Sequence, residues 1–211
     1  MIRTQHEFHD VQAVYLPVAV AILVVFWGAF AFAVVRYRAS RHKTPRHTKD
    51  HNALEIAIAT ALTAIVAVLV TVTFTANARE TDNPDRVRFA VDAVAYKWGW
   101  QFTYPSLPGV VDRTTDRRPP VLHVPANTTL QVVLRTQDTT HAFWVPSLKF
   151  KRDAWPGAVY RLRLVFPPGD HLSGHCAQYC GLRHADMTFT VQSMRPAQFR
   201  AWAAQARGRQ A

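Results

Sequence analysis

The chain has 211 residues, 49% hydrophobic and 18% charged, with 25 Lys plus Arg against 14 Asp plus Glu and a formal net charge of +11. Its two cysteines, Cys176 and Cys180, are too few for a structural zinc site built on two Cys pairs, and no Cys-x-x-Cys-His occurs to attach a haem covalently. An excess of basic residues also suits a nucleic-acid binder, but two uncharged apolar runs with a basic loop between them account for much of it without nucleic acid.

Val11 to Val35 and Ile56 to Ala78 contain no charged side chain, and each run exceeds the roughly 20 residues needed to cross a bilayer. Two spanning helices are expected, at about 11–35 and 53–78. The loop between them, 36–52, holds Arg36, Arg38, Arg41, Lys43, Arg46 and Lys49. By the positive-inside rule this loop is cytoplasmic, so both termini face outward from a bacterial cell membrane. The first run could be mistaken for a signal peptide cleaved near Ala31-Phe32-Ala33. It is too long for that, Glu7 and Asp10 precede it along with Arg3, and arginines follow it as in a stop-transfer segment. The second helix opens with Asn52-Ala-Leu-Glu55, which predicts Asn52 as N-cap and Glu55 closing a capping box.

From Glu80 the composition changes to short β-type runs broken by Pro, Gly, Asp and Asn, the mark of an all-β domain. In the run Arg88 to Tyr104, Tyr96, Trp98, Trp100, Phe102 and Tyr104 alternate with Lys97, Gly99, Gln101 and Thr103. At strand period every one of these aromatics points to one face. Further strands are expected over Val121 to Val124, Thr129 to Thr136, Tyr160 to Phe166 and Met187 to Gln192, and a short amphipathic helix over Pro196 to Ala206. The chain then divides into a helical hairpin over 1–79, a β domain over 80–195, and a C-terminal helix and tail over 196–211.

The segment Cys176-Ala-Gln-Tyr-Cys180-Gly-Leu-Arg-His184-Ala-Asp-Met187 concentrates two thiols, an imidazole and a thioether. Such soft donors select copper, zinc or iron–sulfur chemistry, and the thioether favours copper. A disulfide between Cys176 and Cys180 would leave the His and Met spacing unexplained, and a redox Cys-x-x-Cys pair would need one residue fewer between them. His141 lies upstream in Asp138-Thr-Thr-His141-Ala-Phe-Trp-Val-Pro-Ser-Leu148, followed by Lys151-Arg-Asp-Ala-Trp-Pro-Gly157.

These three stretches together resemble subunit II of the haem-copper cytochrome c oxidases, whose extramembrane domain holds a dinuclear copper centre, CuA. The resemblance implies a cupredoxin-like Greek-key β-barrel behind a two-helix transmembrane hairpin. It makes Cys176 and Cys180 bridging thiolates, gives each copper one imidazole, from His141 and His184, and makes Met187 and the backbone carbonyl of Gln178 weak ligands. A single-copper blue protein uses one cysteine, where this chain has two. Many family members carry Glu at the position of Gln178, and that carboxylate also reaches a magnesium ion. An amide is a poorer ligand for a hard cation, so magnesium is left out. The resemblance further implies that Trp98 is where electrons enter, although a packing role suits the side chain equally, and that Glu55 lies near the entrance of a proton path besides its capping role.

On this reading electrons pass from a separate donor, cytochrome c or a similar protein, through the copper centre to haem in subunit I, with subunit III and membrane lipid as further neighbours. Oxygen is reduced to water there with proton translocation, and this chain alone reduces no oxygen. Quinol-oxidising relatives lose the copper ligands, and every ligand position is filled here. Residues 79–211 hold eighteen Lys plus Arg against ten Asp plus Glu, a balance of +8, which favours an acidic donor. Two alternatives remain open at this stage: the electron-input subunit of a nitric oxide reductase, and a membrane-anchored copper carrier or assembly factor.

Overall fold

The computed structural model describes residues 3–38, 51–81, 86–115 and 118–208; most of the basic loop, residues 39–50, lies outside the described residues. The chain forms two compact units, residues 7–79 and residues 80–211 together with residues 1–6.

The first unit is helical. Helix α1 (Arg3–Arg36) and helix α2 (Asn52–Thr81) are long and apolar enough to cross a membrane. α1 begins well before Val11 because hydropathy marks the part that tolerates lipid, whereas the hydrogen-bonded helix continues into the polar segment before it. Large apolar side chains such as Val24, Phe26 and Phe74 point outward, the reverse of a soluble core helix. The polar atoms of α2 are satisfied locally. The hydroxyls of Thr60, Thr63, Thr71, Thr73 and Thr75 each donate to the carbonyl four residues back, as an apolar solvent demands. Between the two helices, Tyr15 Oη lies 2.6 Å from Thr73 Oγ1 and 3.1 Å from the Leu69 carbonyl. At the start of α2 the amide of Glu55 donates to the carbonyl of His51, which makes His51 the cap residue and Asn52 the first helical one. With His51 as the cap the third helical residue is Leu54, so Asn52 and Glu55 do not stand at the capping-box positions expected for them.

The second unit is a β domain. Its strands are β1 (Phe89–Tyr96), β2 (Gly99–Thr103), β3 (Val111–Arg113), β4 (Val121–Pro125), β5 (Thr129–Thr136), β6 (His141–Val145), β7 (Phe150–Ala154), β8 (Tyr160–Val165), β9 (Gly169–Cys176) and β10 (Thr188–Met194), with helix α3 (Pro196–Gly208) after them. Among the described residues they form two five-stranded sheets, ordered β3-β2-β1-β5-β8 and β4-β10-β9-β6-β7. β1 with β5 and β10 with β4 pair in parallel, the other neighbours antiparallel, so consecutive strands cross between sheets in Greek-key fashion. Strand period explains the core: Leu130, Val132 and Leu134 of β5 are buried while the residues between them are not.

The aromatic run over 88–104 is not one strand. It folds back at Lys97-Trp98 into the hairpin β1–β2, with Ala95 opposite Trp100 and Tyr96 opposite Gly99. Trp100, Phe102 and Tyr104 keep a common buried face, but Tyr96 sits on the other face of the sheet and Trp98 in the turn. The alternation was real for β2 alone, because period-2 patterning does not register a reversal whose turn residues are themselves aromatic.

Trp100, Phe143 and Phe189 close the core in edge-on and stacked contacts, with ring centroids 4.9–5.8 Å apart. Gly174 on β9 faces this cluster, and any Cβ there would overlap the Phe189 ring. Helix α3 buries Phe199 and Ala206, and its Trp202 stacks on His123 at 4.4 Å and meets Tyr104 at 5.3 Å.

Candidate metal centre

Antiparallel pairing of β6 with β9 sets Phe143 opposite Cys176, and the amide of Ala177 donates to the Ala142 carbonyl at 3.2 Å. His141 opens β6 and Cys176 closes β9, so sheet pairing alone brings imidazole and thiol together. The chain then leaves the sheet for the loop 177–187 and returns as β10. The base of this loop is pinned where the Cys176 amide donates to the Met187 carbonyl at 2.9 Å. Inside it, Gly181 adopts a left-handed φ of +115°, which starts the turn that His184–Asp186 completes.

His141, Cys176, Cys180 and Met187 are all buried. Cys176 Sγ lies 3.7 Å from His141 Nδ1, 3.3 Å from the Gln178 carbonyl and 4.0 Å from Cys180 Sγ. Cys180 Sγ lies 3.5 Å from His184 Nδ1 and 3.8 Å from Met187 Sδ. The two thiols are free, and 4.0 Å is about twice a disulfide bond. The thiol pair thus has one imidazole at each end, with a carbonyl oxygen beside one sulfur and a thioether beside the other. Such convergence of soft donors in a buried place is costly without a metal to bind them, and it fits copper better than a hard cation. His141, Cys176 and Cys180 offer ligand atoms all within 4.8 Å of one another.

Electrostatics divide the thiols. Burial alone would raise Cys176, but the hydrogen bond from His141 and backbone donors outweigh it and hold its thiol below the ordinary value. Cys180 is pushed up, by burial first and then by the charge on Cys176. His141 is raised despite burial, because Cys176 and Asp138 both stabilise its charged form, and Asp138 is correspondingly lowered.

Asp138 is the residue whose part the sequence reading did not assign. Its Oδ1 accepts from His141 Nε2 at 2.9 Å and from the Thr139 amide at 2.6 Å, and its Oδ2 accepts from the Lys97 amide at 2.6 Å. This orients the imidazole so that Nδ1 faces the sulfur, the usual carboxylate–histidine arrangement around a metal ligand. The Asp-x-x-His spacing was the signal for it. Trp98, in the β1–β2 turn, donates from Nε1 to the Cys180 carbonyl at 3.1 Å, and its ring lies 3.2 Å from where a Cβ at Gly181 would stand. Gln178 contributes its carbonyl to the cluster. Glu55 lies in the first turn of α2, in the helical unit.

Residues 113–194, which contain the cluster, match the family described as the cytochrome c oxidase subunit II periplasmic domain. Along most of its length the chain is similar to cytochrome c oxidase subunit II. It is 25% identical to the probable cytochrome c oxidase subunit 2 of Rickettsia bellii over 213 residues, covering 94% of this chain and 78% of that one. With the cytochrome c oxidase subunit 2 of Bacillus subtilis it shares 30% identity over 190 residues, which is 82% of this chain and 51% of that protein. The periplasmic domain of subunit II of cytochrome oxidase (CoxB) of Bradyrhizobium japonicum superposes with a TM-score of 0.55 at 22% identity, covering 60% of this chain and 99% of that domain, and so shares the cupredoxin-like fold. The matched family, together with His141, Cys176 and Cys180, which could hold a metal ion, accords with copper. The two apolar helices fit a membrane-anchored protein.

Proposed function

We propose that this chain is the electron-input subunit of a haem-copper cytochrome c oxidase. It takes electrons one at a time from a separate donor protein outside the membrane and passes them to haem in subunit I, where oxygen is reduced to water with proton translocation. The observation that carries the reading is the pair of buried free thiols 4.0 Å apart, with an imidazole at each end. Cys176, Cys180, His141 and His184 would hold two coppers, with Met187 and the Gln178 carbonyl as weaker ligands. Two coppers held by these residues would carry one electron at a time with little change of geometry.

The residues around that pair supply rigidity. Asp138 fixes the ring of His141, the Cys176 amide ties the loop to β10, and burial keeps water from reorganising around the sulfurs. Trp98 is proposed as the point where electrons enter, since its indole is hydrogen-bonded to the main chain of Cys180 while remaining half-exposed. Gln178 brings an uncharged side chain to the position where the family's carboxylate reaches magnesium, so no magnesium is proposed. By the positive-inside rule the charges of the basic loop support an outward-facing β domain, and subunits I and III are its expected membrane neighbours. A copper carrier would keep its metal exchangeable, which buried bridging thiols do not favour.

The test is copper content together with the electron paramagnetic resonance spectrum of the full chain in mild detergent. Two coppers per chain sharing one unpaired electron are expected. One copper per chain, or copper(I) readily removed by a chelator with no mixed-valence signal, refutes the proposal.

A further inference from the structure

The outer face of the sheet β3-β2-β1-β5-β8 has a charge pattern that the metal centre does not require. Along β8, Arg161 and Arg163 are exposed and alternate with the inward Leu162 and Leu164. Strand register carries the same face across the sheet. Arg161 stands opposite Val133, which pairs with Asp92, and Arg163 stands opposite Gln131. Arg135 pairs with Val94, which faces Gln101, which faces Arg113. Arg88, just before β1, donates its amide to the Thr129 carbonyl and continues the alternation. Five exposed arginines therefore share one face, and Asp92 is the one acid that the described strands place among them. From β3 to β8 the face spans four strand spacings, about 19 Å.

The end of this face meets the metal centre. Arg135 is followed by Thr136 and then Asp138, which holds His141, and β1 runs into Lys97 and Trp98 at the same end of the sheet. We propose that this arginine face docks an acidic electron-carrier protein and sets its redox group toward Trp98, an inference that rests on the electron-transfer reading above. Guanidinium groups match carboxylates in geometry, and a transient redox encounter depends on steering more than on buried area. Asp92 in the middle of the face suits a protein of mixed charge better than a uniformly anionic lipid surface.

The test uses the full chain in nanodiscs and two probes that differ in charge alone: a basic c-type cytochrome, and the same cytochrome with its lysines succinylated. Binding is measured at about 10 mM and about 150 mM salt, between which the Debye length falls from about 30 to about 8 Å. The succinylated probe is expected to bind about tenfold tighter at low salt and to lose that advantage at high salt. Arg135→Glu and Arg161→Glu, on different strands, each weaken it by about threefold to tenfold. Arg200→Glu, an equal change of charge at an exposed site on α3, leaves it within about twofold. Equal binding of the unmodified cytochrome, or an Arg200→Glu effect as large as that of Arg161→Glu, overturns the assignment. So does loss of succinylated-probe binding when anionic phospholipid is mixed into the discs, which gives the face to lipid. Copper content and spectrum recorded on the same samples keep two failures apart. An intact two-copper signal without charge preference removes this surface only, and charge-selective binding by a chain that takes up no copper removes the electron-transfer reading.

Discussion

Replacing Asp138 by Ala separates the part a carboxylate plays in folding from the part it plays in metal binding. The carboxylate accepts from His141 Nε2 at 2.9 Å, from the Thr139 amide at 2.6 Å and from the Lys97 amide at 2.6 Å. Thr139 and Lys97 lie where water can replace the lost acceptor, but the His141 side chain has 0% exposure. Its Nε2–H would be left buried without an acceptor, at a cost of about 1–3 kcal/mol. The imidazole would also lose the contact that aims Nδ1 at the sulfur, and outer partners of this kind typically change metal affinity by about 10- to 100-fold. Both effects are measurable on one preparation: thermal unfolding of the metal-free chain in mild detergent followed by tryptophan fluorescence, and copper affinity by competition with a chelator. Asp138→Asn should fall between wild type and Ala, since its amide oxygen can still accept from His141 but its NH2 must then face a backbone donor. Copper affinity within about twofold of wild type in Asp138→Ala would refute the argument that this carboxylate positions the ligand.

Replacing Trp98 by Phe removes the indole donor to the Cys180 carbonyl while keeping an aromatic ring, so electron uptake from a donor protein should slow at least about tenfold with copper content unchanged. Stopped-flow reduction beside a copper assay decides it, and an unchanged rate sinks the role given to Trp98. Gly174→Ala forces a methyl group into the Phe189 ring and should destabilise the β domain by about 1–3 kcal/mol, read as a lowered denaturation midpoint; a neutral result would mean that β9 is free to shift away from the ring. The Tyr104 hydroxyl, which accepts from the His123 amide at 2.8 Å, is held far above its ordinary value of 10.0, chiefly by burial. The unfolded chain releases this proton near pH 10 and the folded one does not. Its contribution is therefore intact below that pH and declines as pH rises past it, by up to about 1.4 kcal/mol per pH unit. Urea midpoints from about pH 8 to about pH 11 should show this slope, and Tyr104→Phe should remove one proton's worth of it; an identical slope in the variant counts against the assignment.

Much of the cluster was legible because its ligands are short-range in sequence. Cys176, Cys180, His184 and Met187 share one loop, and a regular spacing of soft donors has few other physical explanations. Strand β5 was legible for a similar reason, since Leu130, Val132 and Leu134 alternate cleanly between a core and an outer face. Strands β3, β6, β7 and β9 were not among those read from the sequence. β6 is buried at four of its five positions, so no alternation marks it, and β9 is mostly polar, with Gly174 where a core side chain would otherwise show. The hairpin at Lys97-Trp98 was hidden because its turn lacks the Gly, Asn or Asp that usually announces one before the reversal. The Asp-x-x-His spacing hints at the contact of Asp138 with His141, but its direction needs the fold, because Asp138 lies in the connection from β5 to β6 and faces the imidazole only once both strands are placed.

The position of β10 sets an order of events during synthesis. Among the described residues it is the last strand in sequence, yet it lies in the interior of its sheet, between β4 and β9. Met187 stands at its threshold, and the Cys176 amide is held by the Met187 carbonyl. While the chain is still emerging, β4 and β9 each lack a neighbour and the loop 177–187 is tethered at one end only. The pocket for metal is therefore begun where β6 meets β9 and completed only when β10 enters the sheet and draws Met187 to the imidazole and thiol already paired there.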